Sequence, residues 1–330
     1  MTGLLEERAA IVTGAGRGIG RAIAEALVRE GASVIVADNG ASISGDGGDP
    51  TVARDTAATL GAKAIAFSES VASPGVARQL VDLAIKQFGG IDIIVNNAAI
   101  LRDAFVFRAD PLDWDAVIRT NLSAAFYLIN AASSVMRDQD KSGRGGKDGY
   151  TWGRIVNIVS SAGLDGNFGQ AAYASAKAGL FGLTRAAAMD LNGAQITVNA
   201  VAPFARTRVI DIIQPANEAQ KTYKERALKV GTHHVASLVA ALCTPASQSV
   251  TGQLLGVRGR EVFLFGQPHP VATLAAEGKD WSPEDLAQAL GTRLAGQFTD
   301  LGTDLEAFNT ERDERLSNSH SSSPCGRSSG

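Results

Sequence analysis

Cysteine is nearly absent from this chain: there are two in 330 residues, Cys243 and Cys325. They lie far apart, the second in a Ser/Gly-rich tail. No disulfide framework is available, and a reducing, cytoplasmic setting is expected. Histidine is scarce at four residues, none with companions at metal-ligand spacing, so no metal site is expected. No run reaches the roughly 18 apolar residues of a membrane-spanning helix, so no membrane partner is expected. Lys/Arg-rich runs are missing and the formal net charge is -3, which argues against nucleic acid as a partner. The opening "MTGLLEERAAIVTG" carries acidic residues and runs straight into a strand, reading as neither signal nor transit peptide.

What is present is ordinary for a globular protein, 45% hydrophobic and 20% charged. Short apolar runs alternate with longer segments of helical spacing. "RAAIVTG", "SVIVAD", "KAIAFSES", "IDIIVNNAA", "RIVNIVSS", "ITVNAVAP" and "GQLLGV" read as strands. Between them lie helices, among them the long "DPLDWDAVIRTNLSAAFYLINAASSVMR" and "GQAAYASAKAGLFGLTRAAAMDL" over 169–191. That alternation predicts an α/β, Rossmann-like doubly wound parallel sheet with helices on both faces. Residues 1–258 would form the dinucleotide-binding domain with the catalytic site. Residues 259–310 would be a C-terminal extension, with Ser282 as N-cap and Pro283 as first helical residue of "SPEDL". Its apolar patches predict docking on the domain or across a dimer interface, near the substrate entrance. The polar 311–330 reads as a disordered tail, and 138–153 as a solvated Gly-rich loop.

The glycine loop "TGAGRGIG" lies between the first strand and the first helix. Gly14, Gly18 and Gly20 let backbone N–H groups approach a pyrophosphate, and the helix N-terminus adds partial positive charge. Asp38 ends the second strand, 18 residues past Gly20, where an acid meets the adenosine ribose. A carboxylate there repels a 2′-phosphate, and Asn39, Gly40 and Ala41 follow it rather than a cation. NAD is therefore expected ahead of NADP.

Tyr173 and Lys177 stand at i and i+4 on one helix face. A free phenol is a poor base near neutrality, and a nearby ammonium would lower its pKa. A tuned phenol can exchange a proton with an alcohol or carbonyl. Ser160 closes a strand 13 residues earlier, at the carboxyl edge of the sheet, and could hydrogen-bond the substrate oxygen; Ser161 is the alternative. Asn121, an amide mid-helix, marks a kink or an ordered water. His233 and His234 read as the start of a helix.

Together "TGAGRGIG", "NNAA", Asn121, Ser160 and "YASAK" resemble the short-chain dehydrogenase/reductase family over roughly residues 5–257. The resemblance implies Tyr173 as acid/base, Lys177 lowering its pKa and holding the nicotinamide ribose, Ser160 polarising the substrate oxygen, and Asn121 supporting a water that leads from Lys177 to solvent. It implies a cofactor held by Thr13, Gly14, Gly16, Arg17, Gly18, Ile19 and Gly20, by Asp38, Ser70 and Val71, and by Asn97, Ala98 and Ala99. Pro203, Thr207, Tyr173 and Lys177 complete that set. Ser160, Asp165, Tyr173 and Phe204 would meet the substrate. Two departures are Ala99, where the family usually has Gly, and Phe204, where Gly often follows Pro203.

A narrower resemblance links "NNAAILRDAFVFRADPLDW" and "SSAGLDGNFGQAAYASAKAG" to the (3R)-hydroxyacyl-CoA dehydrogenase part of peroxisomal multifunctional enzymes and bacterial relatives. It implies NAD-dependent oxidation of a 3-hydroxyacyl-CoA with a fatty or steroid side chain. The alternatives are a 3-oxoacyl-carrier-protein reductase, a steroid or alcohol dehydrogenase, and an NAD-binding partner subunit with weak catalysis. The expected partners are an acyl-CoA thioester and further copies of the chain, as a homodimer or homotetramer.

Overall fold

The computed structural model describes residues 3–307 apart from 140, 145–150, 213, 216, 277 and 279. The expected tail over 311–330 and part of the 138–153 loop lie outside the described residues.

Seven parallel strands form the sheet: β1 (Ala9–Thr13), β2 (Ser33–Ala37), β3 (Ala64–Phe67), β4 (Ile93–Asn96), β5 (Arg154–Ile158), β6 (Thr197–Phe204) and β7 (Leu254–Arg258). An eighth, β8 (Glu261–Leu264), pairs antiparallel with β7, giving the order β3-β2-β1-β4-β5-β6-β7-β8. The doubly wound reading holds, but the sheet does not end at "GQLLGV". In β8 the apolar "EVFL" alternates, with Val262 and Leu264 exposed and Phe263 turned to the opposite face.

Helices cover both faces. They are α1 (Gly18–Arg29), α2 (Thr51–Leu60), α3 (Pro74–Phe88), α4 (Pro111–Ile118), α5 (Ala124–Asp138), α6 (Ala162–Asp165) and α7 (Ala171–Leu191). After these come α8 (Arg208–Ile212), α9 (Glu218–Ala227), α10 (His233–Leu242), α11 (Pro283–Ala289) and α12 (Asp304–Ala307). Strand alternation divides the core. Ala10, Val12, Val34, Val36, Ile93 and Val95 face α1 and α10, whereas Ile11, Ile35 and Ile94 face α3, α5 and α7. A one-residue slip would exchange the two sets, so burial on both faces fixes the register.

The segment read as one long helix is interrupted. A single π turn, Arg119–Ser123, separates α4 from α5, and Asn121 is buried within it. Such a turn frees a backbone carbonyl and shifts the face that follows. The 138–153 loop is also more than solvated surface. Arg144 Nε donates to Asp92 Oδ1 at 3.0 Å, Arg144 Nη2 pairs with Oδ2, and the Asp92 side chain is fully buried. Asp92 also accepts from the Ala9 backbone N–H at 2.8 Å, so one carboxylate locks the loop to the amino ends of β1 and β4.

Candidate active site

Strand order reverses between β1 and β4, and a cleft of about 600 Å³ opens at the carboxyl ends of the strands there. The glycine loop forms its floor. Gly18 has φ +55°, and a Cβ added to it would meet nothing within 4 Å except the open cleft. Gly20 answers a different demand: a Cβ there would lie 2.1 Å from Gly14 O, so only glycine lets α1 sit this close to the loop. No side chain caps α1 at Arg17 and its first turn holds no acid, leaving its N–H groups free for an anion.

Asp38 is fixed from both sides. Oδ2 accepts from Gly16 N–H at 2.8 Å and Oδ1 from Gly40 N–H at 2.7 Å. A carboxylate has about four lone-pair sites, so acceptor capacity remains for a diol. Arg17, Ile19, Ser70, Val71 and Thr207 open on the same cleft, as do Gly14, Asn97, Ala98, Ala99 and Pro203. Thr13, Gly16 and Gly20 act from behind. Thr13 Oγ1 accepts from Asn97 and Ala98 N–H at 3.0 and 3.1 Å, tying the ends of β1 and β4 together. The cradle, the open helix end and the paired acid fit a dinucleotide.

Midway along the cleft stand Ser160, Tyr173 and Lys177. α7 is rich in Ala and Leu, as a packing helix should be, and buries a stripe of Ala176, Leu180, Thr184, Ala187 and Leu191. Lys177 belongs to that stripe although burying an ammonium is costly. Its Nζ donates to Ile158 O at 2.7 Å and lies 5.7 Å from the Tyr173 ring centroid. Burial pushes the Lys177 pKa down to about 8. The Tyr173 phenol is pushed up to about 12, by burial first, with hydrogen bonding to Ser160 opposing and the charges of Asp304 and Asp103 adding to the rise. The expectation that Lys177 brings this phenol below its ordinary value is therefore corrected: desolvation outweighs an amine committed to Ile158 O.

Asn121 does not line the cleft. Its Oδ1 accepts from Ile100 N–H at 2.8 Å and its Nδ2 donates to Ile100 O at 2.9 Å, pinning the segment after β4. Beside it, with Thr13 and Asn96, lies a cavity of about 10 Å³, the size of one water. Two expected substrate residues are placed elsewhere. Asp165 is exposed at the end of α6, outside the cleft lining. Phe204 is 2% exposed and packs edge-on against Tyr223, with 4.9 Å between ring centroids. Successive residues of β6 alternate, so Pro203 on the cleft sends Phe204 to the other side. His233 and His234 stand at the start of α10 with ring centroids 4.0 Å apart and the planes tilted by 38°, and no cluster of three metal-ligating side chains occurs among the described residues.

Sequence reasoning named no site residue on two of the walls. The Gly-rich segment 39–50 folds over the cleft and places Ala41, Ser42 and Ile43 on its lining. It is held by Leu101 N–H to Ile43 O at 2.8 Å and by Arg102, which donates to Ser44 O at 2.8 Å. Its run of Gly, Ser and Asp after Asp38 was the available signal. The other wall is Asp304 and Leu305, brought by the C-terminal extension.

A family model described as short chain dehydrogenase matches residues 8–211. The chain belongs to the short-chain dehydrogenase family. Within this family it is 37% identical over 294 residues to the hydroxyacyl-CoA dehydrogenase ChsB1 of Mycobacterium tuberculosis, covering 89% of this chain and 90% of that one. It is 36% identical over 260 residues to a 3-oxoacyl-[acyl-carrier-protein] reductase FabG of Vibrio cholerae, covering 77% and 97%. The crystal structure of a short chain dehydrogenase from Mycobacterium avium superposes with a TM-score of 0.73 at 32% identity, covering 90% of this chain and 98% of that one. As a short-chain dehydrogenase, the protein is an oxidoreductase acting on a CH–OH group with a nicotinamide cofactor.

Proposed function

We propose that the protein oxidises a 3-hydroxyacyl thioester, a 3-hydroxyacyl-CoA in the cell, to the 3-oxo compound with NAD as acceptor. The observation that carries this reading is the shared cleft: Asp38 at the cofactor end, Ser160 and Tyr173 in the middle, and Leu305 of the extension among its walls. The match to the hydroxyacyl-CoA dehydrogenase, at 294 residues, is too long to stop at residue 258 and so takes in part of that extension. The roles of the residues follow from their places. Ser160 hydrogen-bonds the substrate oxygen, and Tyr173 takes the hydroxyl proton as the carbinol carbon gives up its hydride. Lys177 orients the ribose, and Asn121 holds the cleft wall through Ile100. When bound, NAD would supply the hydride acceptor and the positive charge of its ring.

A second reading, reduction of a 3-oxoacyl thioester with NADPH, draws on Arg17 and Arg208. Both open on the cleft, and the charges of Arg17 and Asp38 are both felt at Arg208. Asp38 supports NAD, because a carboxylate on the cleft wall would repel a 2′-phosphate. Exposed apolar side chains on and before α4 and α5, including Phe107, Trp114 and Phe126, support a homodimer or homotetramer. No helix among the described residues is long and apolar enough to cross a membrane; the low cysteine count supports a reducing, cytoplasmic setting. The test is initial-rate assay of the full chain with 3-hydroxyacyl-CoAs of graded length, simple steroid alcohols, NAD and NADP. The reading expects the highest kcat/KM for a 3-hydroxyacyl-CoA with NAD. A higher value for a plain alcohol, or for NADP, contradicts it.

A further inference from the structure

Asp304 is a buried carboxylate in the cleft that the proposed chemistry does not use. It begins α12, is 4% exposed, and has buried Thr303 and Leu305 on either side. Oδ2 accepts from Ser161 Oγ at 2.9 Å, and its backbone N–H donates to Gly166 O at 3.0 Å. Oδ1 is buried and makes no hydrogen bond, although the Leu305 N–H weakly favours the charged form. Among the described residues no Lys or Arg pairs with it. It shares the cleft wall with Ser160 and Tyr173, and its charge reaches the phenols of Tyr173 and Tyr223.

We propose that Asp304 is a specificity-determining residue that excludes a free carboxylate from the substrate end of the cleft, so that the neutral thioester is accepted and the corresponding 3-hydroxy acid is turned away. This rests on the function proposed above. The carbinol must sit at Ser160 and Tyr173, which fixes the carbonyl carbon two bonds further on within the same space. A thioester brings no charge there. A free acid brings a second carboxylate to the wall that holds the buried Asp304 carboxylate, where like charges repel. An ionised carboxylate is acceptor-only, so Asp304 can offer a substrate carboxylate no hydrogen bond in compensation. Discrimination of this kind works by penalising the wrong ligand.

The test compares one 3-hydroxyacyl chain as its N-acetylcysteamine thioester, which lacks the phosphates of CoA, and as its free acid. Wild-type protein should prefer the thioester. Asp304→Asn keeps an acceptor for Ser161 and should narrow the thioester-to-acid ratio of kcat/KM at least ~10-fold, as removal of one like-charge contact implies. Asp300→Asn, an exposed change on the same extension, should leave the ratio at the wild-type value. An unchanged ratio in Asp304→Asn, or equal narrowing in Asp300→Asn, overturns the proposal. Calorimetry on the wild type needs no variant to fold: the 3-oxo amide should bind at least ~10-fold more tightly than the 3-oxo acid. Equal affinities overturn the proposal too. Absence of turnover of either compound with NAD or NADP would instead defeat the proposed function, and the calorimetric comparison would still report on Asp304.

Discussion

Ser161 and Asp304, 143 residues apart in the chain, are joined by a hydrogen bond of 2.9 Å. It fastens the C-terminal extension to the turn after β5, next to the serine that faces Tyr173. The bond has a pH signature. The Asp304 carboxyl is raised from 3.8 to about 6, by burial first, with the Ser161 hydrogen bond opposing and Asp165 adding repulsion. Asp165 of α6, Tyr223 of α9 and Tyr173 of α7 are the titratable groups facing it.

The folded value lies above the unfolded one, so the folded state holds the extra proton between the two. Charging Asp304 then costs stability; the cost is fully present above about pH 6 and relieved as the pH falls towards 4. Asp304→Asn should melt higher than wild type at about pH 8, with the gap closing by about pH 4.5. Melting curves across that range check it. A gap that is constant, or that widens towards acid, contradicts the assignment.

Asp38 should set cofactor choice. Asp38→Ala removes the charge and the Gly16 and Gly40 anchors. NAD binding should weaken by about 1–3 kcal/mol, the range for a hydrogen bond to a charged group, while NADP gains relative to it. Titration of both cofactors into both proteins measures this. Tighter binding of NADP than NAD by the wild type would reverse the assignment.

Arg144→Ala tests the loop that the sequence presented as solvated. It removes the Arg144 contacts from the fully buried Asp92 carboxylate, which among the described residues keeps Arg8 at 3.8 Å and the Ala9 backbone N–H at 2.8 Å. The expected loss is about 3 kcal/mol of unfolding free energy, because the other charge stays buried. Denaturant unfolding that matches wild type would show that Arg144 is a surface decoration.

The sequence carried the features that repeat or sit at short fixed spacing. The alternation of apolar runs and helical segments announced the sheet, and the i, i+4 spacing of Tyr173 and Lys177 announced their shared face. It was weaker wherever position depends on distant chain. Phe204 looked like a cleft residue because it stands where the family often has Gly after Pro203, and strand alternation turns it to Tyr223 instead. The 39–50 segment has no periodicity, so its fold over the cleft through Arg102 could not be read locally. Asp304 sits in "TDLGTDLEA" with no motif around it, and its meaning comes from Ser161. The Tyr173 pKa was misjudged in direction because spacing shows a neighbouring charge but not desolvation.

The account stands most directly on Tyr173. Its phenol shares the cleft wall with Ser160, and Tyr173→Phe keeps the ring while removing the transferable proton. The deciding measurement is the kcat of Tyr173→Phe with the best 3-hydroxyacyl thioester and NAD, taken alongside the Kd for NAD. The account predicts a fall of at least ~100-fold in kcat, the lower range for lost general acid–base catalysis, with NAD affinity within about 3-fold of wild type. Near-normal turnover in Tyr173→Phe would contradict it.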